Sequence, residues 1–167
     1  MALQSKDEGQ ELSEANWIQM AFPSEPEWEN VLDATLIELV REYYMEPSCA
    51  GLALGQIVTR RHPQAEELCN FLLNAERADR WLRAGALDSL LTLNPMDGLN
   101  KAMALIDDDD IDILEDVIVA LNCEHQGPLA AAIHCHPIVA LVKREIGRRG
   151  PDQVEFSDIF AENFGTD

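Results

Sequence analysis

Seven carboxylates fall within ten residues in the stretch DDDDIDILED: Asp107, Asp108, Asp109, Asp110, Asp112, Glu115 and Asp116. Acids at this density can coordinate a hard cation, complement the positive end of a helix, or receive the Lys and Arg of a partner. Calcium loops place ligands at alternate positions, with Gly at the sixth and Glu at the twelfth. Counting from Asp108, Asp110 and Asp112 fit, but Ile113 takes the glycine place and Val119 the glutamate place. The pattern is therefore no EF-hand. If a helix starts near Asp110, steps of ~100° gather Leu114, Val117, Ile118 and Leu121 into one stripe. The same steps put Asp108, Asp112, Glu115 and Asp116 on the opposite side, where they are expected to face solvent. Acids in a first turn stabilise a helix by ~0.3–1 kcal/mol each. One or two would serve that end, and consecutive aspartates repel one another, so the surplus points to a partner surface alongside the structural role.

A second cluster, Cys123, His125, His134, Cys135 and His136, invites zinc. Zinc needs four ligands converging at ~2.0–2.3 Å. A helix over residues 128–134 would hold the two halves of the cluster roughly 9–10 Å apart. Turn and cap roles are expected instead, with no metal. GxSxG, a phosphate-cradling glycine loop and HExxH are all missing from the sequence. No catalytic residue and no cofactor are expected. In the tail, Glu155, Phe156, Asp158, Ile159, Phe160 and Phe164 would form a short amphipathic helix, serving either as a cap on the fold or as an anchor for a partner.

The elements that must carry these residues are helical. Aromatics are only 6% of the 167 residues, and the apolar content is mostly Leu, Ala, Ile and Val, which suits helices better than sheets. Residues 1–26 are polar and acidic and read as a loose N-terminal arm, in which only NWIQMAF could dock. From Glu27 a three- and four-residue apolar period begins and continues, punctuated by prolines, to about residue 150. Residues 151–167 form the acidic, aromatic tail. No stretch alternates as a half-buried strand does. The expected fold is all-α.

The net charge is −19, with acids concentrated before residue 48 and after residue 106. Such a charge repels nucleic acid and anionic membranes and favours a basic protein partner. No basic-then-apolar leader opens the sequence, no apolar run reaches ~18 residues, and the cysteines lack CxxC spacing. These features suggest a cytoplasmic chain whose thiols are reduced and mostly packed.

LGQIVTRRHP (54–63) aligns with LDSLLTLNP (87–95) and then with VIVALNCEHQGP (117–128), at intervals typical of stacked helix pairs. ADRWLRAGALDSLL (78–91), with Asp79, Arg83, Ala84, Ala86, Leu87 and Leu90, resembles the second helix of a HEAT repeat. DDIDILEDVIVAL (109–121) keeps the Asp and the apolar stripe but carries acids where the Arg would stand. The resemblance covers residues 48–150 and implies a short, right-handed α-solenoid of antiparallel helix pairs. Some HEAT-like arrays are DNA glycosylases, but these need a basic concave face, which the charge argues against. In size, charge and scaffold the chain also resembles bacterial immunity proteins, which neutralise toxic nucleases. That resemblance implies a stoichiometric inhibitor whose acids, Asp107 to Asp110, Asp112, Glu115 and Asp116, imitate phosphates. Glu155, Phe156, Asp158 and Phe160 would complete the partner surface. The other reading is a general scaffold or adaptor with an apolar grip.

Overall fold

The structure is a computed structural model that describes residues 12–106 and 111–165. Asp107, Asp108, Asp109 and Asp110 lie outside the described residues, as do residues 1–11 of the expected arm. Every regular element among the described residues is helical. In chain order these are α1 (Glu14–Ala21), α2 (Asp33–Glu42), α3 (Pro47–Thr59), α4 (Ala65–Asn74) and α5 (Arg80–Leu93). They are followed by α6 (Pro95–Ile106), α7 (Ile111–Glu124), α8 (Ala130–His134), α9 (Pro137–Arg149) and α10 (Ser157–Phe164). No helix among the described residues is long and apolar enough to cross a membrane.

The prolines act as helix starters. Pro47, Pro95 and Pro137 each occupy the first position of a helix, where the missing N–H would have had no partner anyway. His136 caps α9, its Nδ1 accepting from the Ile138 N–H. Asp79 caps α5 in the same way through the Trp81 N–H.

α5 is the hub, packing against α3, α4, α6 and α7. Its Leu87, Leu90 and Leu91 are fully buried, together with Leu68 and Leu72 of α4, Leu99 of α6 and Ile118 of α7. α5 and α7 run in the same direction, because Arg80 meets Glu115 and Arg83 meets Asp116 further along both helices. α9 covers α6 and α7, and α10 lies on α7.

The part of the arm that docks is the NWIQMAF stretch singled out by the sequence: α1 packs on α2. Ser13 donates to Glu38, Thr35 donates to Glu14 at 2.6 Å, and Asn16 donates to the Tyr43 hydroxyl at 3.1 Å. Polar anchors do what the sparse apolar residues could not, and only Ala15 of α1 is fully buried. The period expected from Glu27 is interrupted, since a single 3-10 turn, Trp28–Asn30, precedes α2. Arg60 at the end of α3 grips that turn, donating to the carbonyls of Trp28, Glu29 and Val31 and to Asp33 Oδ1.

Gly98 sets the spacing of α5 and α6. A Cβ there would lie 2.8 Å from the Leu91 Cα and backbone nitrogen, and backbone cannot step aside. Gly98→Ala is expected to destabilise the fold by about 1–3 kcal/mol, the range for overpacked cores. The effect should read as a lower urea midpoint with an unchanged m-value.

Candidate functional site: the heads of α5 and α7

The stripe of Leu114, Val117, Ile118 and Leu121 is buried, as its spacing requires. The face opposite it is not uniformly in solvent. Asp112 is exposed, but Glu115 and Asp116 are only 6% and 3% exposed, which corrects the expectation that both would face outward. α7 is enclosed by α5, α6, α9 and α10, so it has no single wet side. Each buried acid meets an arginine of α5. Arg80 Nη1 lies 2.7 Å from Glu115 Oε2, and Arg83 Nη2 lies 2.8 Å from Asp116 Oδ2.

Arg80 also reaches the tail. Its Nη2 bridges Glu155, while the Glu155 N–H donates to Glu115 Oε1 at 2.7 Å. One guanidinium thus ties together α5, α7 and the approach to α10. Burial works against its charge, but the Glu155 and Glu115 carboxylates more than offset this and hold its pKa above the ordinary value.

The clasp presents an apolar strip at the helix heads. Trp81 is 54% exposed, and Phe156 packs edge-to-face on it with centroids 5.5 Å apart. Phe156 sits in the left-handed region at φ 61°, a conformation that costs a non-glycine residue about 1–2 kcal/mol. Ile159, three residues on, is exposed. Glu155 and Asp158, next to Phe156 and Ile159 in the chain, are exposed, as is Asp112 one turn before Glu115 on α7. Phe160 does not belong to this surface. It is 1% exposed and stacks on Phe164 beneath α10, and Asn163 of the same helix donates to Asn122 of α7. α10 therefore caps α7, and Phe160 serves the core rather than facing a partner.

The Cys/His cluster is arranged differently from the sequence expectation. α8 is only five residues long and the chain folds back, so His134 Nε2 comes 3.4 Å from the His125 carbonyl, with Phe164 beside both rings. Among the described residues no three His, Cys, Asp or Glu side chains gather as a metal site would require. Cys49 and Cys69 are packed, and burial pushes their thiols up to about 11 and about 12. Cys123 and Cys135 are exposed, so only half of the thiols are packed.

A feature that sequence reasoning missed lies at the other end of α5. Asp88 abuts Glu124 of α7, and burial together with the Glu124 charge raises its carboxyl from 3.8 to about 6. No Lys or Arg bridges either acid among the described residues.

No protein-family model, no curated protein and no solved structure matches this chain.

Two outcomes are expected. Arg83→Met takes the guanidinium away from the buried Asp116 carboxylate and should cost up to about 3–5 kcal/mol, whereas Arg83→Met with Asp116→Leu should recover part of that loss. Urea unfolding of the four corners of this cycle measures it. Asp88 binds its proton more tightly folded than unfolded, so its contribution to stability falls as pH rises from 3.8 through about 6. Allowing for its partial exposure, Asp88→Asn should stabilise the protein by about 1 kcal/mol at pH 7 and by almost nothing at pH 3. Melting curves of both proteins across that range decide it.

Proposed function

We propose that this chain is a stoichiometric protein-binding module for a basic protein, specifically a cytoplasmic inhibitor of the immunity-protein type that covers the cationic surface of a toxic nuclease. The observation that carries the reading is the strip of Trp81, Phe156 and Ile159 together with the exposed acids Asp112, Glu155 and Asp158. Exposed aromatics supply anchoring area, and surrounding carboxylates steer and orient a cationic partner. Asp107 to Asp110, which immediately precede α7 in the sequence, add four negative charges to the same stretch of chain. Glu115 and Asp116 drop out of the contact set and become its foundation. The reading assigns no reaction to the chain.

A HEAT-like stack is the proposed scaffold. It is supported by the parallel course of α5 and α7 with α6 between them. A general adaptor with an apolar grip is the second reading, favoured by the apolar groove between α3 and α5.

Salt separates the two readings. A charge-steered inhibitor approaches ~10⁸–10⁹ M⁻¹s⁻¹ at low salt and slows steeply as salt rises, whereas an apolar grip barely responds. With a basic partner recovered from the native cell, Trp81→Ala should weaken binding by about 2 kcal/mol or more while the fold melts almost normally. Equal affinity for both proteins, together with salt-independent association, would remove the inhibitor reading.

A further inference from the structure

Gly51 and Gly55 of α3 and Gly85 of α5 lie in helix interiors, where glycine costs about 0.5–1 kcal/mol relative to alanine. Gly98 has a steric reason to lack a side chain, but these three do not. A Cβ at Gly55 or Gly85 would meet nothing within 4 Å, and one at Gly51 would make only an ordinary 3.7 Å contact with Leu82. The missing side chains close no internal contact. They open a groove of about 640 Å³ between α3 and α5, floored by Leu54 and Leu82, with the exposed Leu52 and Trp81 in its lining.

The groove is acidic at both ends. Asp79 lies at the head of α5 and Asp88 nine residues further on, which is about 13 Å along a helix. The lining contains no basic residue. Asp88 is also pressed against Glu124 without a cation to neutralise the pair among the described residues. The charge therefore selects a cationic occupant. It disfavours a second copy of this chain at −19, as well as nucleic acid and anionic lipid.

We propose that the α3–α5 groove is the seat of an α-helix from a partner protein, one that turns small residues towards the glycines and sets a Lys or Arg against Asp88. Without side chains at Gly51, Gly55 and Gly85, two helix axes can approach to the short end of the usual 8–10 Å. An amphipathic helix in a groove is a recurrent recognition mode, read through anchors at helical spacing. The proposal does not rest on the inhibitor reading, because it requires only a basic helix and not a toxic enzyme.

The test uses the full chain and a displayed library of helix-forming peptides. The library is selected on the wild-type protein and counter-selected on a Gly55→Leu/Gly85→Leu variant. That variant fills the groove without touching the core, and its melting curve checks that it folds. Selection should enrich peptides with small residues four apart and a Lys or Arg about two to three turns away. The enriched peptides should lose about tenfold or more in affinity on the filled variant and several-fold on Asp88→Asn. Amide shifts should map to α3 and α5, and Asp158→Asn/Ile159→Ala should leave binding unchanged, separating this site from the strip at the helix heads. Failure to obtain groove-dependent binders, or binders without basic residues, would overturn the proposal. A wild-type dimer in sedimentation that the filled variant abolishes would also overturn it, giving the groove to a second copy.

Discussion

The pairing of two arginines on one helix with two acids on the next holds the centre of this molecule in register. Arg80 and Arg83 lie one turn apart on α5, and Glu115 and Asp116 meet them from α7. Burying the two carboxylates against half-buried guanidinium groups carries a desolvation penalty that Coulomb attraction offsets only when the geometry is good. What such pairing supplies is position. Sliding α7 along α5 by one turn would leave a carboxylate without its guanidinium. Through Glu155 that register also fixes where the tail begins to fold back.

The helices and their apolar stripes were legible in the sequence because a 3.6-residue period is local information. The buried faces of α7 and α9 follow from it directly, and the prolines mark three helix starts. The fate of Glu115 and Asp116 was harder to read. Their partners lie more than thirty residues earlier, and an isolated helical wheel assumes a wet side that the enclosed α7 does not have. The repeat-like alignment gave no signal for them: the interval of 30 from Leu87 to Val117, added to Arg83, lands on Ile113, so the arginine and its acid do not hold equivalent places in the two units. Docking of α1 was legible in the NWIQMAF stretch, but apolar composition alone overlooks the anchoring by Ser13, Glu14 and Asn16, which bind through hydrogen bonds.

The acidic character of the chain thus has more than one use. Some carboxylates are internal struts already matched to arginines, while others remain at the surface. Asp88 and Glu124 belong to neither group, being brought together by the parallel course of α5 and α7 with no Lys or Arg bridging them among the described residues. α5 links all three. Its Arg80 and Arg83 lock α7, its head carries Trp81, and its glycine-bearing face opens towards α3. A helix so heavily committed can couple what happens on one face to the position of the others.

The central claim, that the acidic stretch divides into struts and surface, is tested most directly by comparing the unfolding free energies of two charge-matched variants. Glu115→Gln/Asp116→Asn and Asp112→Asn/Asp158→Asn each remove two negative charges, so the general relief of self-repulsion is the same in both. The account predicts that the first pair loses several kcal/mol, because Arg83 loses the carboxylate it meets and Arg80 keeps only Glu155. The second pair should lose no more than about 1–2 kcal/mol, the contribution of two acids in the first turns of α7 and α10. Equal stabilities for the two variants, or a larger loss in the second, would contradict it.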